Sequence, residues 1–84
     1  MARVILEPRA VKEYRKLSRE VARRIKTALS DLQKDFPSPI LDIKKLQPPL
    51  VGYRLRVGDY RILFDREADF FLVYSIKHRK DAYK

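Results

Sequence analysis

Eighty-four residues carry twenty Lys or Arg against eleven Asp or Glu, a formal charge of +9, with 45% hydrophobic residues and no cysteine. That length supports one domain, spanning 1–84, and excludes two full cores; the composition excludes a disordered tail, and the missing thiols exclude disulfides and thiolate zinc sites. The N-terminal stretch lacks a signal-peptide pattern and no segment approaches the length of a bilayer span, so a soluble cytoplasmic protein with no membrane partner is expected, its charge excess pointing to a polyanion, nucleic acid first.

In chain order, the β-branched run "ARVILE" closed by Pro8 predicts a first strand. Ala10, Val11, Tyr14 and Leu17 then recur at three- and four-residue spacing, which predicts a helix with Pro8 in its first turn. Ser18 is placed to cap a second helix whose apolar face is Val21, Ala22, Ile25, Leu29, Leu32 and Phe36, with Pro37 ending it. The opposite face, Arg19, Arg23, Lys26 and Lys34, reads as an ordinary solvated surface. Residues 37–50 hold four of the five prolines and read as an irregular connection with a short extended piece at 43–46. Three strands follow, at 53–57, 60–64 and 70–78, the first two joined by Gly58-Asp59 in the manner of a type II′ turn. The expected fold is α+β: an antiparallel sheet in the order β-α-α-β-β-β, with both helices on one face.

If Gly58 and Asp59 form the loop, Val57 faces Tyr60, Leu55 faces Ile62 and Tyr53 faces Phe64 on the helix-covered side. The same register sets Arg56 against Arg61 on the open side, beside Arg54. Like charges in direct apposition are destabilising, so the arrangement calls for a reason. Carboxylates at Asp59, Asp65 or Glu67 offer a bland one, keeping a hydrated sheet face neutral. A polyanion site offers a sharper one, because guanidinium groups fork onto phosphate oxygens that relieve their repulsion. Pairing Ile62 with Leu72 puts Phe70, Leu72, Tyr74 and Ile76 in the core and leaves Phe71, Val73, Ser75, Lys77 and Arg79 with the arginines. A one-residue change in the turn "DREAD" swaps these sets and brings His78 to the basic side.

Other chemistries find little support. One histidine makes no metal cluster, "DREAD" lacks the glycine and terminal glutamate of a calcium loop, no phosphate-cradling Gly-rich loop exists, and Ser75 has no evident triad partners. RNA cleavage fits the side chains present. Its own 2′-hydroxyl attacks the phosphate, and a protein must supply orientation, a proton acceptor, cationic stabilisation of the phosphorane and a proton for the leaving oxygen.

The stretches "GYRLRVGDYRILFD" and "FFLVYSIKHRKDAY", with their RxRxGxYR and HRxxxY patterns, resemble the C-terminal half of the RelE toxins of the RelE/ParE toxin–antitoxin superfamily. The strand-helix-helix-meander order extends the resemblance over essentially the whole chain. It implies a cofactor-free, ribosome-dependent mRNA endonuclease that cuts A-site message by 2′-hydroxyl attack, held inactive by an acidic antitoxin in a heteromeric complex. It assigns Arg61 to the scissile phosphate, Arg79 and Tyr83 to the catalytic set, and Arg54 and Arg56 to RNA binding, with Lys45 and Lys77 beside them. His78 is the further candidate for proton transfer. Phe71 and Val73 are expected to border the basic face and to receive an amphipathic antitoxin segment. Two alternatives stay open: a ParE-like inhibitor of DNA gyrase, and a basic RNA- or protein-binding module without chemistry.

Overall fold

Proline at the first helical position and a Ser18 side chain that accepts from the Val21 amide at 3.3 Å start the two main helices where the local chemistry places them. In the computed structural model, which describes residues 3–82, β1 (Arg3–Leu6) leads into α1 (Pro8–Arg15) and α2 (Arg19–Lys34). Then come β2 (Asp42–Lys45), β3 (Tyr53–Val57), β4 (Tyr60–Arg66), β5 (Phe70–His78) and a terminal turn of helix, α3 (Arg79–Ala82). Among the described residues no helix is long and apolar enough to cross a membrane.

The sheet has five strands in the order β1-β5-β4-β3-β2. Two features differ from the expected antiparallel meander. The extended piece after Pro37 is a full edge strand, β2, paired antiparallel with β3. Moreover, β1 runs parallel to β5, from Arg3 opposite Phe70 to Leu6 opposite Val73. A parallel pair needs a long crossover, and the intervening helices and hairpin supply it.

The β3–β4 hairpin has the expected register, with Val57 opposite Tyr60 and Arg56 opposite Arg61. Gly58 takes φ +58°, and among the described residues no other type has positive φ, the pattern of a II′ turn. Register in β5 departs from expectation. Ile62 pairs with Ile76 rather than Leu72, and an irregularity between Leu63 and Phe64 sets Phe64 opposite Val73, leaving Tyr74 as the extra residue. Because one extra residue reverses the facing of everything beyond it, Phe71 and Val73 turn into the core, 2% and 0% exposed, instead of bordering the open face.

One face of the sheet therefore presents Leu55, Ile62, Phe64, Phe71, Val73 and Ile76 to Ile25, Ala28, Leu29 and Leu32 of α2. Phe36, beyond the helix end, meets Tyr53 and Phe64 edge-on, with ring centroids 5.3 and 6.1 Å away. Two edge amides are satisfied by side chains: Val4 N–H donates to Gln33 Oε1 and Ile76 N–H to Glu13 Oε1, both at 2.8 Å. Helix burial, aromatic packing and these edge contacts fix the sheet. They leave its other face clear of α2, with, among the described residues, only Arg9 of α1 and residues of α3 reaching its border.

Candidate polyanion cleft

Strand alternation delivers the open-face residues without further choice: with Leu55 and Ile62 buried, Arg54, Arg56, Arg61 and Leu63 must point the other way. Lys77 lies opposite Arg61 on β5, so Arg56, Arg61 and Lys77 stand in one row across three adjacent strands. The chain then turns into α3, and the Arg79 amide donates to the Asp59 carbonyl at 2.7 Å, with the Arg79 guanidinium 3.9 Å from the Asp59 carboxylate. That pins the third arginine to the hairpin tip. Arg56, Arg61 and Arg79, with Tyr60 and the Gly58-Asp59 turn, line a cleft of about 240 Å³.

A second groove of about 280 Å³ continues along the sheet, where Arg54, Arg61 and Lys77 meet Leu46, Leu50, Leu63 and Tyr74. Its apolar rim is thus built from Leu46, Leu50, Leu63 and Tyr74 and not from Phe71 and Val73. Tyr74, the extra residue of the β4–β5 irregularity, donates its hydroxyl to the Val51 carbonyl at 2.9 Å. Burial, then the charges of Asp65 and Glu7, push its pKa above the usual phenolic value.

The predicted site residues divide. Arg56, Arg61, Arg79 and Lys77 come together. Arg54 is on the same face but 8% exposed, its guanidinium 3.0 Å from the Asp42 carboxylate, so it is a paired and largely covered group rather than an open phosphate contact. Lys45 lies opposite Tyr53 and so belongs to the helix side of the register; Lys44, opposite Arg54, is the β2 lysine on the arginine face. His78 pairs with Tyr60, packs edge-on against its ring at 5.2 Å, and accepts the Lys80 amide on Nδ1 at 3.2 Å. It sits on the opposite side of the strand from Lys77, away from the Arg61 row. Tyr83 lies outside the described residues.

Asp42, Lys44 and Tyr74 were missed. The alternation in "DIKK" carried the signal for the first two, since a strand there puts Asp42 and Lys44 on one face. No sequence cue marked Tyr74, whose direction depends on the irregularity. Among the described residues no group of three His, Asp or Glu is placed to hold a metal ion.

The chain matches the family model described as the ParE toxin of the type II toxin–antitoxin system over residues 4–83. It is 30% identical to Toxin RelE3 of Methanocaldococcus jannaschii across 96% of this chain and 94% of that protein. Among solved structures, it superposes on the RelB–RelE antitoxin–toxin complex of Methanococcus jannaschii with a TM-score of 0.80 and 28% identity, covering 94% of each chain. The archaeal RelE–RelB complex of Pyrococcus horikoshii gives a TM-score of 0.76 at 26% identity, covering 93% of this chain and 94% of that one. The two family names meet on one architecture, and with the arginine hairpin at its centre this chain belongs to the RelE/ParE family of type II toxin–antitoxin toxins.

Proposed function

We propose that this toxin is a ribosome-dependent mRNA endonuclease, cutting message by attack of a ribose 2′-hydroxyl on the adjacent phosphorus with expulsion of the 5′-oxygen. The observation that carries the reading is the convergence of Arg56, Arg61 and Arg79 on one cleft, flanked by Lys77. Charge accumulates on the non-bridging oxygens as the phosphorane forms, and preorganised guanidinium groups stabilise that state more than the ground state. Arg61, central in the row, takes the scissile phosphate, while Arg56 and Lys77 hold the neighbouring backbone. The family pattern gives Tyr83 the base-stacking or proton-transfer role. Arg54, locked to Asp42, supports the strand that presents Arg56.

The same reading supplies a partner. The relatives from Methanococcus jannaschii and Pyrococcus horikoshii were solved as complexes of RelE with RelB. A cognate acidic antitoxin would cover this cleft and lay apolar side chains on Leu46, Leu50 and Leu63. A second reading, inhibition of DNA gyrase, draws on the ParE description of the matching family model.

One comparison separates them. Purified toxin is incubated with message, with and without ribosomes, and in parallel with gyrase and a supercoiling substrate. Codon-positioned cuts that require ribosomes, reduced at least about 10²-fold by Arg61→Ala, are the expected result. Intact message with blocked supercoiling would transfer the protein to the gyrase reading. Equal cutting by wild type and Arg61→Ala would remove the arginine mechanism.

A further inference from the structure

The connection between β2 and β3 folds back over the open face of the sheet and holds two leucines there. Its backbone is fixed at several points. The Leu46 amide donates to the Gly52 carbonyl at 2.9 Å and the Leu50 amide to the Gln47 carbonyl at 3.0 Å, while the Tyr74 hydroxyl reaches from β5 to the Val51 carbonyl at 2.9 Å. Gly52, at φ +100°, brings the connection down onto β4, where an added Cβ would stand 2.5 Å from the Phe64 carbonyl oxygen. Only glycine permits that approach.

Leu50 is 63% exposed, so its position is set by these bonds and not by entry into the core. With Leu46 it joins Leu63 and Tyr74 of the sheet, and the cations Arg61 and Lys77, around the groove of about 280 Å³. Leu63 follows Arg61 by two positions on β4 and shares its face, about 7 Å along the strand. Arg61 also lines the arginine cleft. One side chain thus joins a polar cleft to an apolar slot.

We propose, on the footing of the nuclease reading above, that this slot receives one unstacked nucleobase of a single-stranded RNA whose phosphate lies on Arg61. Single strands are recognised by splaying a base out and packing its faces on aromatic or apolar side chains. Leu46 and Leu50 from the connection and Leu63 from the sheet supply apolar contact, and the Arg61-to-Leu63 step matches the reach from a phosphate to the base of its own nucleotide. A duplex keeps its base faces stacked and cannot fill the slot. An uncharged apolar segment would cover Arg61 and Lys77 without an anion to pair them, which is costly; a nucleotide brings both the anion and the apolar faces. The antitoxin on this face would then exclude a base as well as a phosphate.

Methyl NMR with a 2′-deoxy trinucleotide, which binds without being cut, reads the slot directly. The trinucleotide is titrated intact and in three versions that each lack one base. Ring currents from a bound base should shift the methyl resonances of Leu46, Leu50 and Leu63, leave those of core Leu29 and Leu32 in place, and disappear in one of the base-lacking versions. Loss of that base should raise Kd by about fivefold to 150-fold, the range for one packed base. Leu50→Ala should weaken binding of the intact strand and become nearly indifferent to loss of the same base, because the two changes remove one contact. Its salt slope should equal that of wild type, whereas Arg61→Ala should lower the slope by about 0.7. Unmoved leucine methyls, base-lacking strands that bind as tightly as the intact one, additive losses in Leu50→Ala, or no binding by wild type would each overturn the proposal. So would leucine methyls that move only with an acidic, leucine-bearing peptide titrated in parallel, which would make the groove a peptide site. Ribosome-dependent cutting alongside any of these results strikes the slot and spares the nuclease reading. Base-dependent binding by a wild type that cuts no message does the reverse.

Discussion

Arg54 and Asp42 form an unequal pair. The arginine side chain is 10% exposed and the aspartate 51%, at 3.0 Å separation. Removing the carboxylate leaves a covered guanidinium without its partner, whereas removing the guanidinium leaves a carboxylate that water can reach. The costs of breaking a pair fall on the member left in low dielectric. Asp42→Ala should therefore lower stability by about 1 to 3 kcal/mol. Arg54→Met, which keeps most of the covered stem, should cost less than half of that. Urea denaturation of the two variants decides it, and equal losses would mean that Arg54 is solvated in spite of its burial. This pair also explains the limit of sequence reading here. Alternation placed Arg54 on the correct face, but whether an arginine is open or paired depended on Asp42, twelve positions earlier and on a strand whose flanking prolines disguised it.

At the scale of elements, the fold depends on how the sheet ends and bends. β1 pairs with β5 only from Phe70 to Val73, so beyond that point the β5 edge lacks a strand partner. Glu13 of α1 fills the gap by accepting the Ile76 amide at 2.8 Å. A half-buried N–H left without an acceptor costs about 1 to 3 kcal/mol. Glu13→Ala should thus destabilise by that amount and speed hydrogen exchange at Ile76, while Glu13→Gln, which retains a carbonyl oxygen, should restore most of the protection. Slow exchange at Ile76 in the alanine variant would show that water or another acceptor takes over. The helices and the β3–β4 hairpin were legible because local signals agree there: Pro8, the Ser18 cap, the spacing of Ile25, Leu29 and Leu32, and Gly58 at the turn. β5 was not. Its run "FFLVYSI" is apolar at successive positions, so either parity buries a hydrophobic set, and the choice falls to long-range pairing with Ile62 and Phe64.

The whole molecule carries +9 on 10.0 kDa, and self-repulsion at that density works against the compact state. Apposed arginines add a local share: a like-charged cross-strand pair costs about 0.2 to 1 kcal/mol. Arg56 receives little in return from its own fold, since it is exposed and its Nε reaches the Gly58 carbonyl only at 3.4 Å. A residue held for an anion should trade stability for binding, and the two effects of replacing it should have opposite signs. Without ligand, Arg56→Thr, which suits a strand, should melt no lower than wild type and up to a few degrees higher at low salt, a gain of about 4 to 8 °C per kcal/mol in a domain of this size. With a 2′-deoxy oligonucleotide that binds without being cut, wild type should be stabilised by about 2.7 kcal/mol at a hundred times its Kd. Arg56→Thr should lose most of that shift at the same concentration. Calorimetric scans of both proteins at fixed ionic strength read both halves. A variant that melts lower unliganded and shifts as far as wild type would make Arg56 a structural residue and leave the cleft without its anion.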